Sequence, residues 1–546
     1  ANWMWPAKNQ GENARLYRAV EAVSKFATDL GVNIPTGKDS LSMTQKYPGG
    51  KVVYAPGTVI ISAVGEVSDI KNTVSPVIKT KEGTHIIYID FSSTPFALGG
   101  SSFAQTQNKI GTTAPDVSDS RYFAKAFNTV QSLIEKGKIL AGHDISAGGL
   151  ITTLLEMNFS NCNYGMNLNM DVFEEADFIK LMFSENPGVI IQVEDVKKVV
   201  DALISNHLNF HVLGIVINEC SLNLHHQNKT YNLDIKNYRR VWFEQSYQLD
   251  IRQSGESHAY KRFHNFDKQD LYYFFKNDFS GKRVDFDIRL DKDYGRKAKA
   301  AIIREKGVNG DREMAYALYL AGFDVKDVHM TDLISGRENL EDVQFIVFVG
   351  GFSNSDVLGS AKGWAGAFLY NEKAKNALDN FYQRTDTLSL GVCNGCQLMT
   401  ELELIYPEHP EHPKMVENDS GKFESGFVNV NINENNSVML KSLSGSRLGA
   451  WVAHGEGKFS FPCYSDKYDI VMHYSFDEYP GNPNGSDWGA AAICSNNGRH
   501  LGMMPHLERA FLPWQWPYYP DDRKEDEMTP WLEAFVNARK WVEQNS

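Results

Sequence analysis

Cys393 and Cys396 stand three apart in the stretch "SLGVCNGCQLMTEL" (389–402). Such a pair suits metal ligation, dithiol redox exchange, or covalent catalysis by one thiol while the other packs. Zinc needs two further ligands, and no second C-x-x-C occurs. Redox pairs usually lack the frame found here, Gly391-Val392-Cys393-Asn394-Gly395, which is the thiol counterpart of the nucleophile elbow. In that turn the flanking glycines relieve crowding and the side chain stands above the sheet edge. The helix N-terminus beneath favours a thiolate, and the N–H after the nucleophile can hold an oxyanion. Cys396 falls one turn into the helix, where a small thiol packs. The local pattern favours Cys393 as a nucleophile over a metal or redox pair.

A thiol nucleophile needs a histidine, and the histidine needs an orienting acid. Two H-x-E pairs follow the elbow: His454-Gly455-Glu456 in "VAHGEGKF" and His506-Leu507-Glu508 in "LGMMPHLERAF". The second follows a strand-like segment and a proline, which suits a sheet edge facing the elbow. Spacing alone barely separates the two, and a hydrogen-bonded structural histidine is the commoner case for either. The histidines of "PEHPEHP" (407–413) alternate with prolines and read as a solvated loop.

Two polar turns lie upstream. "IPTGKDSLSM" (34–43) is no phosphate loop: Gly31 and Gly37 are one residue too far apart, and Asp39 follows Lys38 where Ser or Thr is required. It still gathers a cation and hydroxyls, with Lys38 and Ser40 as candidates for polar or phosphate contact. "GHDISAGGL" (142–150) puts Asp144 and Ser146 before a glycine pair and a helix. A helix start suits phosphate, and a carboxylate beside phosphate suits Mg²⁺. On the bare sequence the same residues are an ordinary N-cap.

The elements that position these groups change character along the chain. Residues 11–31 predict an amphipathic helix through Leu16, Ala19, Val20, Val23, Phe26, Ala27 and Leu30, and 52–66 read as strands. A charged stretch at 79–83 marks a boundary, and mixed strands and helices follow to about residue 220. Residues 250–296 are polar, aromatic and irregular, a connector with one short helix. From 297 strands alternate with helices: "KAAIIRE", "REMAYALYLAGF", "FIVFVGG", a long helical stretch to about 382, "LSLGV" and "CQLMTELEL". That order predicts a parallel sheet covered on both faces.

Composition sets outer limits. The 546 residues are enough for two to four domains, and 42% hydrophobic with 23% charged residues reads as soluble and globular. A net charge of −13 argues against a general nucleic-acid surface. Six scattered cysteines suit a reducing compartment, taken here as the cytoplasm. No apolar run is long enough to span a bilayer. The chain opens on Ala1 without an initiator methionine, so a processed product or a fragment is expected.

Ordered from end to end, "ANWMWPAKNQGENARLYRAV", "IPTGKDSLSM", "GHDISAGGL", "FSENPG", "REKGVNGDREMAYAL", "GGFSNSDVLG", "GVCNGCQLM", "AHGEG", "NPNGS" and "MMPHLER" resemble one family. They are similar to the C-terminal part of the large, single-chain phosphoribosylformylglycinamidine synthases of purine biosynthesis. The resemblance implies a multidomain α/β and α+β fold, in which the second half of the synthetase module precedes a doubly wound class I glutamine amidotransferase domain. It divides the chain into part of a dimerisation-type α/β domain (1–82), an α+β synthetase domain (83–249), a connector (250–293) and the glutaminase (294–546).

It further implies Cys393 as nucleophile, His506 as general base and acid, and Glu508 as orienter, with His454 and Glu456 as pocket structure. Gly350, Gly351 and Asn394 then supply the oxyanion hole. Leu507 departs from the proline common in the family, at a position that points away from the chemistry. Glutamine would give ammonia, and ATP would activate formylglycinamide ribonucleotide to receive it. Asp144 and Ser146 become metal and nucleotide ligands, for Mg²⁺ and for ATP or ADP, at a second-half site generally regarded as structural. Lys38 stands where smaller relatives carry asparagine, which leaves no metal role there. The other metal carboxylates and most residues for the reacting ATP would lie in an upstream half of the synthetase, the chain's expected partner, so that this chain alone would hydrolyse glutamine weakly. Alternatives are another cysteine hydrolase on the same fold, or an inactive nucleotide-binding scaffold.

Overall fold

The computed structural model describes residues 1–269, 272–276, 278–288 and 298–545. They form two compact units, Ala1–Phe243 and Glu244–Ser546.

In the first unit, Asn2–Met4 pairs in parallel with Lys38–Ser40 and antiparallel with Thr58–Ile60. The helix Glu12–Asp29 lies close to the range its periodicity predicts, with Leu16, Ala19 and Val23 half-buried against Trp3, Trp5 and Ala7. The stretch 52–66 is less regular than expected, with strands only over Val52–Tyr54 and Thr58–Ile60. Pro56 has no N–H to donate, and Gly57 lies against Trp5, where a Cβ would come within 2.5 Å of the indole.

A seven-stranded sheet follows, in the order Lys229–Asp234, Ser221–His226, Gly165–Asn169, Phe210–Ile217, His85–Asp90, Gly188–Val193, Ala141–Asp144. It is antiparallel except where Ser221–His226 meets Gly165–Asn169. The strand "HIIYID" shows why both faces are covered. Ile86 and Tyr88 enter one core with the helix Gly149–Phe159, while Ile87 and Ile89 enter another with Ser120–Glu135 and Val196–Ser205.

The second unit holds a nine-stranded sheet. Asp324–His329, Lys299–Arg304, Phe345–Phe348, Leu388–Val392 and His500–Met503 run parallel in that spatial order. Ala490–Cys494, Asp469–Tyr474, Glu424–Ile432 and Arg447–His454 continue it antiparallel. The parallel strands are continuous apolar runs, as burial on both faces demands; all of Phe345–Phe348 and Leu388–Val392 is buried.

Two expectations need correction. The long helical stretch to 382 is two helices, Lys362–Leu369 and Glu372–Gln383, because the Asn371 carboxamide accepts the Ala374 N–H and starts the second. The segment after residue 250 is more helical than its composition suggests, since the helix Ile235–Asn265 runs into it, broken at Gly255 (φ 77°, ψ 163°). The boundary expected at 293–294 lies outside the described residues.

Charge ties this helix down. Asp250 accepts from Ser254 Oγ at 2.5 Å, Arg262 Nη1 at 3.0 Å and Lys422 Nζ at 3.2 Å. Arg262 Nη2 also reaches Glu424 Oε2 at 3.1 Å, and Tyr479 donates to the same carboxylate. Burial alone would raise Asp250; the hydroxyl and the two cations outweigh it and hold it below the usual carboxylate range. A depressed carboxyl contributes stability that is present above its unfolded value near 3.8 and lost as pH falls through the folded value. Asp250→Asn is therefore expected to destabilise the second unit by about 3 kcal/mol at neutral pH. Urea unfolding should show the gap between wild type and variant closing as pH falls below that range.

Candidate active site

The strand Leu388–Val392 ends in a sharp turn. Cys393 takes φ 52°, ψ −108°, sparsely populated for a residue with a side chain, and the helix Asn394–Glu401 begins at the next residue. The strain sits on the cysteine itself; the glycines serve close approach. A Cβ on Gly391 would lie 2.5 Å from Gly395 O, and one on Gly395 would lie 1.9 Å from Phe348 O. The Cys393 N–H donates to Met503 O at 2.8 Å, which anchors the turn to the neighbouring strand. Its thiol donates to Ala453 O at 3.5 Å.

His506 follows the strand His500–Met503, and its N–H is held by Trp451 O at 2.8 Å. The ring is 1% exposed. Nδ1 meets Glu508 Oε1 at 2.6 Å, and Nε2, without a protein partner, faces Cys393. A Cβ on Gly350 would fall 2.7 Å from His506 Cε1 and 3.4 Å from Cys393 Cβ, so only glycine lets the three meet. Burial alone would lower the imidazole's pKa; the Glu508 carboxylate and the Cys393 thiol outweigh it and push His506 up to about 10.

The two H-x-E pairs differ in geometry. His454 ends the strand Arg447–His454 and is buried, but neither ring nitrogen has a protein partner. Burial, with the charge of His506, pushes it down to about 3. Its Glu456 instead accepts the Ser360 N–H at 3.2 Å. Cys396 is fully buried within the helix, where desolvation and the nearby Cys393 push its thiol up.

Of the expected oxyanion residues, Gly350 lies beside the nucleophile and Asn394 follows it in the chain. Gly350 O accepts the Asn309 N–H at 2.8 Å, and Gly351, at φ 133°, lies where a Cβ would come within 2.4 Å of Val308 Cα. Asn394 leads the helix; its side chain accepts the Ser353 N–H at 3.2 Å and donates to Gln397 Oε1 at 2.9 Å. Gln397 reaches on to Glu456 O at 2.6 Å. Ser353, Asp356, Ser360 and Gln397 were not singled out from the sequence. The cue was the polar run "GGFSNSD" directly after a buried strand.

Residues 297–542 match the CobB/CobQ-like glutamine amidotransferase domain, residues 1–66 the FGAR-AT PurM_N-like domain, and residues 81–227 the C-terminal domain of AIR synthase related proteins. A probable phosphoribosylformylglycinamidine synthase of Arabidopsis thaliana, chloroplastic/mitochondrial, is 39% identical over 99% of this chain and 40% of its own length. The phosphoribosylformylglycinamidine synthase of Homo sapiens is 37% identical over 100% of this chain and 43% of its own. Over nearly its whole length the chain is thus similar to phosphoribosylformylglycinamidine synthases. It spans less than half the length of these relatives. A solved structure of PurLQS from Thermotoga maritima covers 45% of this chain and 98% of its own at 23% identity and TM-score 0.35, a likeness too slight to add to the assignment.

The other candidate residues are spread over the first unit. Lys38 and Ser40 share the edge strand Lys38–Ser40 and hydrogen-bond to each other through Nζ and Oγ. Asp144 ends the edge strand Ala141–Asp144 of the larger sheet, its side chain 74% exposed, and Ser146 is exposed two residues on. The Gly148 N–H, just before the helix Gly149–Phe159, is not open to phosphate, because Glu185 Oε1 accepts it at 2.9 Å and the Ser102 N–H at 2.8 Å. Among the described residues no group of three His, Cys, Asp or Glu side chains is placed to hold a metal. The described side chains around Asp144 thus do not complete a Mg²⁺ site by themselves. None of the described helices is long and apolar enough to cross a membrane.

Proposed function

We propose that Cys393, His506 and Glu508 release ammonia from glutamine. The supporting observation is the buried imidazole whose Nδ1 is fixed by Glu508 at 2.6 Å, leaving Nε2 toward a cysteine on an elbow. The Cys393 thiol passes its proton to His506 Nε2 as the sulfur attacks the side-chain amide carbon, and the developing oxyanion is held by backbone N–H groups at Gly351 and Asn394, with Gly350 keeping the approach open. Nε2 gives its proton to the leaving nitrogen, ammonia departs and a thioester remains. Nε2 then takes a proton from water, whose oxygen adds to the thioester carbon. The carbon–sulfur bond breaks, glutamate leaves, and Nε2 returns its proton to the sulfur, restoring the thiol.

From the similarity to these synthases, we assign the residues before about 250 to the synthetase, where ATP would activate formylglycinamide ribonucleotide and ammonia would convert it to the amidine. In this proposal Ser146 and Asp144 border nucleotide, Lys38 and Ser40 contact phosphate or substrate, and further synthetase residues outside this chain complete the site. The domain limits 1–82, 83–249, 250–293 and 294–546, and a cytoplasmic setting, belong to the same proposal. The supports are the family matches over 1–66 and 81–227. Glutamine incubated with the chain should yield glutamate and ammonia in equal amounts. No glutamate from a chain whose Cys393 is otherwise reactive would overturn the glutaminase assignment.

A further inference from the structure

A groove of about 510 Å³ follows one face of the helix Ser120–Glu135 in the first unit. Arg121, Lys125, Asn128, Ser132 and Lys136 line it at the three- and four-residue spacing that keeps side chains on one face of a helix. Thr129 and Leu133 lie buried at its base, while Arg121, Asn128 and Lys136 are exposed. The helix Val196–Ser205 contributes the small Ala202, and Asn206 follows it.

The charge of this groove is the reverse of the chain's. The net charge is −13, yet the groove is lined by three cations and one acid, Asp29, which accepts from Ser120 Oγ at 3.0 Å. Among the described residues none of the three cations is in an ion pair. On the neighbouring helix, by contrast, Lys198 pairs with Asp195 at 2.7 Å. Lys125 lies over the Tyr122 ring, 5.9 Å from its centroid. Two of these placements work against the helix that carries them. Arg121 stands in the first turn after the Asp119 N-cap, where the positive end of the helix dipole disfavours a cation. Arg121 and Lys125 are also four residues apart, a spacing at which like charges repel. Two local rules broken in one groove point to an anion that answers them.

We propose that this groove binds an extended acidic peptide segment of a partner protein. Arg121 and Lys136 are separated by about 22 Å along the helix, at about 1.5 Å per residue. A peptide of six or seven residues in extended form, at about 3.3 Å per residue, covers that span. Its acidic side chains would meet Arg121 and Lys125 at one end and Lys136 at the other. Asn128 and Ser132, which fall between them, offer donors and acceptors to the peptide backbone. A single phosphate or a diphosphate would reach only one end.

The test titrates fluorescein-labelled hexaglutamate with the full chain at low salt, read by fluorescence anisotropy, with labelled hexalysine as control. Hexaglutamate should bind, hexalysine should not, and binding should weaken as salt rises. Reversing two charges, Arg121→Glu with Lys125→Glu, should weaken hexaglutamate at least ~10-fold. The new acids suit a helix N-terminus, so this variant should keep its fold, which circular dichroism checks. Lys136→Glu should weaken the peptide as well. No binding by hexaglutamate, or equal binding by the doubly reversed chain, overturns the proposal. An effect at Arg121 and Lys125 with none at Lys136 means a compact anion at one end and overturns the extended occupant. ATP that displaces the peptide and itself loses binding on the double reversal overturns the proposal in favour of a nucleotide.

Discussion

Cys393→Ser lowers glutamine hydrolysis at least ~10³-fold, because a hydroxyl is a far weaker nucleophile than a thiolate and the site is built for sulfur. The substitution is nearly isosteric, so the elbow keeps its shape: the turn is fixed by the Cys393 N–H to Met503 O and by the tight seats of Gly391 and Gly395. Cys396→Ala is the contrasting case. That thiol is buried in the helix, so its loss costs packing, about 1–2 kcal/mol, and leaves the glutaminase working. Glutamate release measured on both variants separates the roles. Loss of activity in Cys396→Ala with retention in Cys393→Ser would reverse the assignment.

Glu508→Gln lowers glutamine hydrolysis by ~10²–10⁴-fold, the range typical of disabling a positioned acid–base pair. Glutamine at 508 can still accept from Nδ1, so orientation survives while the charge is lost. Burial by itself depresses His506, and Glu508 is the largest influence opposing it. The imidazole should therefore fall from about 10 toward its ordinary 6.5, readable as the titration of its ring proton by NMR. Stability follows the same sign. A raised histidine contributes stability that is fully present below 6.5 and lost as pH rises through about 10. The variant should thus be less stable than wild type at neutral pH, with the difference closing above pH 10. An unchanged His506 titration would show that the carboxylate is not what holds the proton.

The elbow was legible because its demands are local: Gly391 and Gly395 are needed within one turn of Cys393, and the buried run before them reads as a strand. The choice between His454 and His506 was not legible from spacing, since both present H-x-E. What separates them is tertiary. His506 is pinned to Trp451 O with its acid at 2.6 Å, whereas Glu456 turns its carboxylate to Ser360. Asp356 and Glu456 are a hundred residues apart and meet only after the loop beyond Phe345–Phe348 folds against the end of Arg447–His454. The helix through residue 250 was missed for a related reason. Its support comes from Lys422 and Glu424, which no local window contains. In the first unit the glycine pair before Leu150 suggested free N–H groups, but Glu185 occupies the Gly148 donor from a distant loop.

The most direct test of the account is intact-mass measurement of the chain after diazo-oxonorleucine treatment, followed by peptide mapping. The account predicts a single adduct, on Cys393, prevented by glutamine. An adduct on Cys396, or none on Cys393 while iodoacetamide still alkylates it, would contradict the assignment of this elbow as a glutamine site.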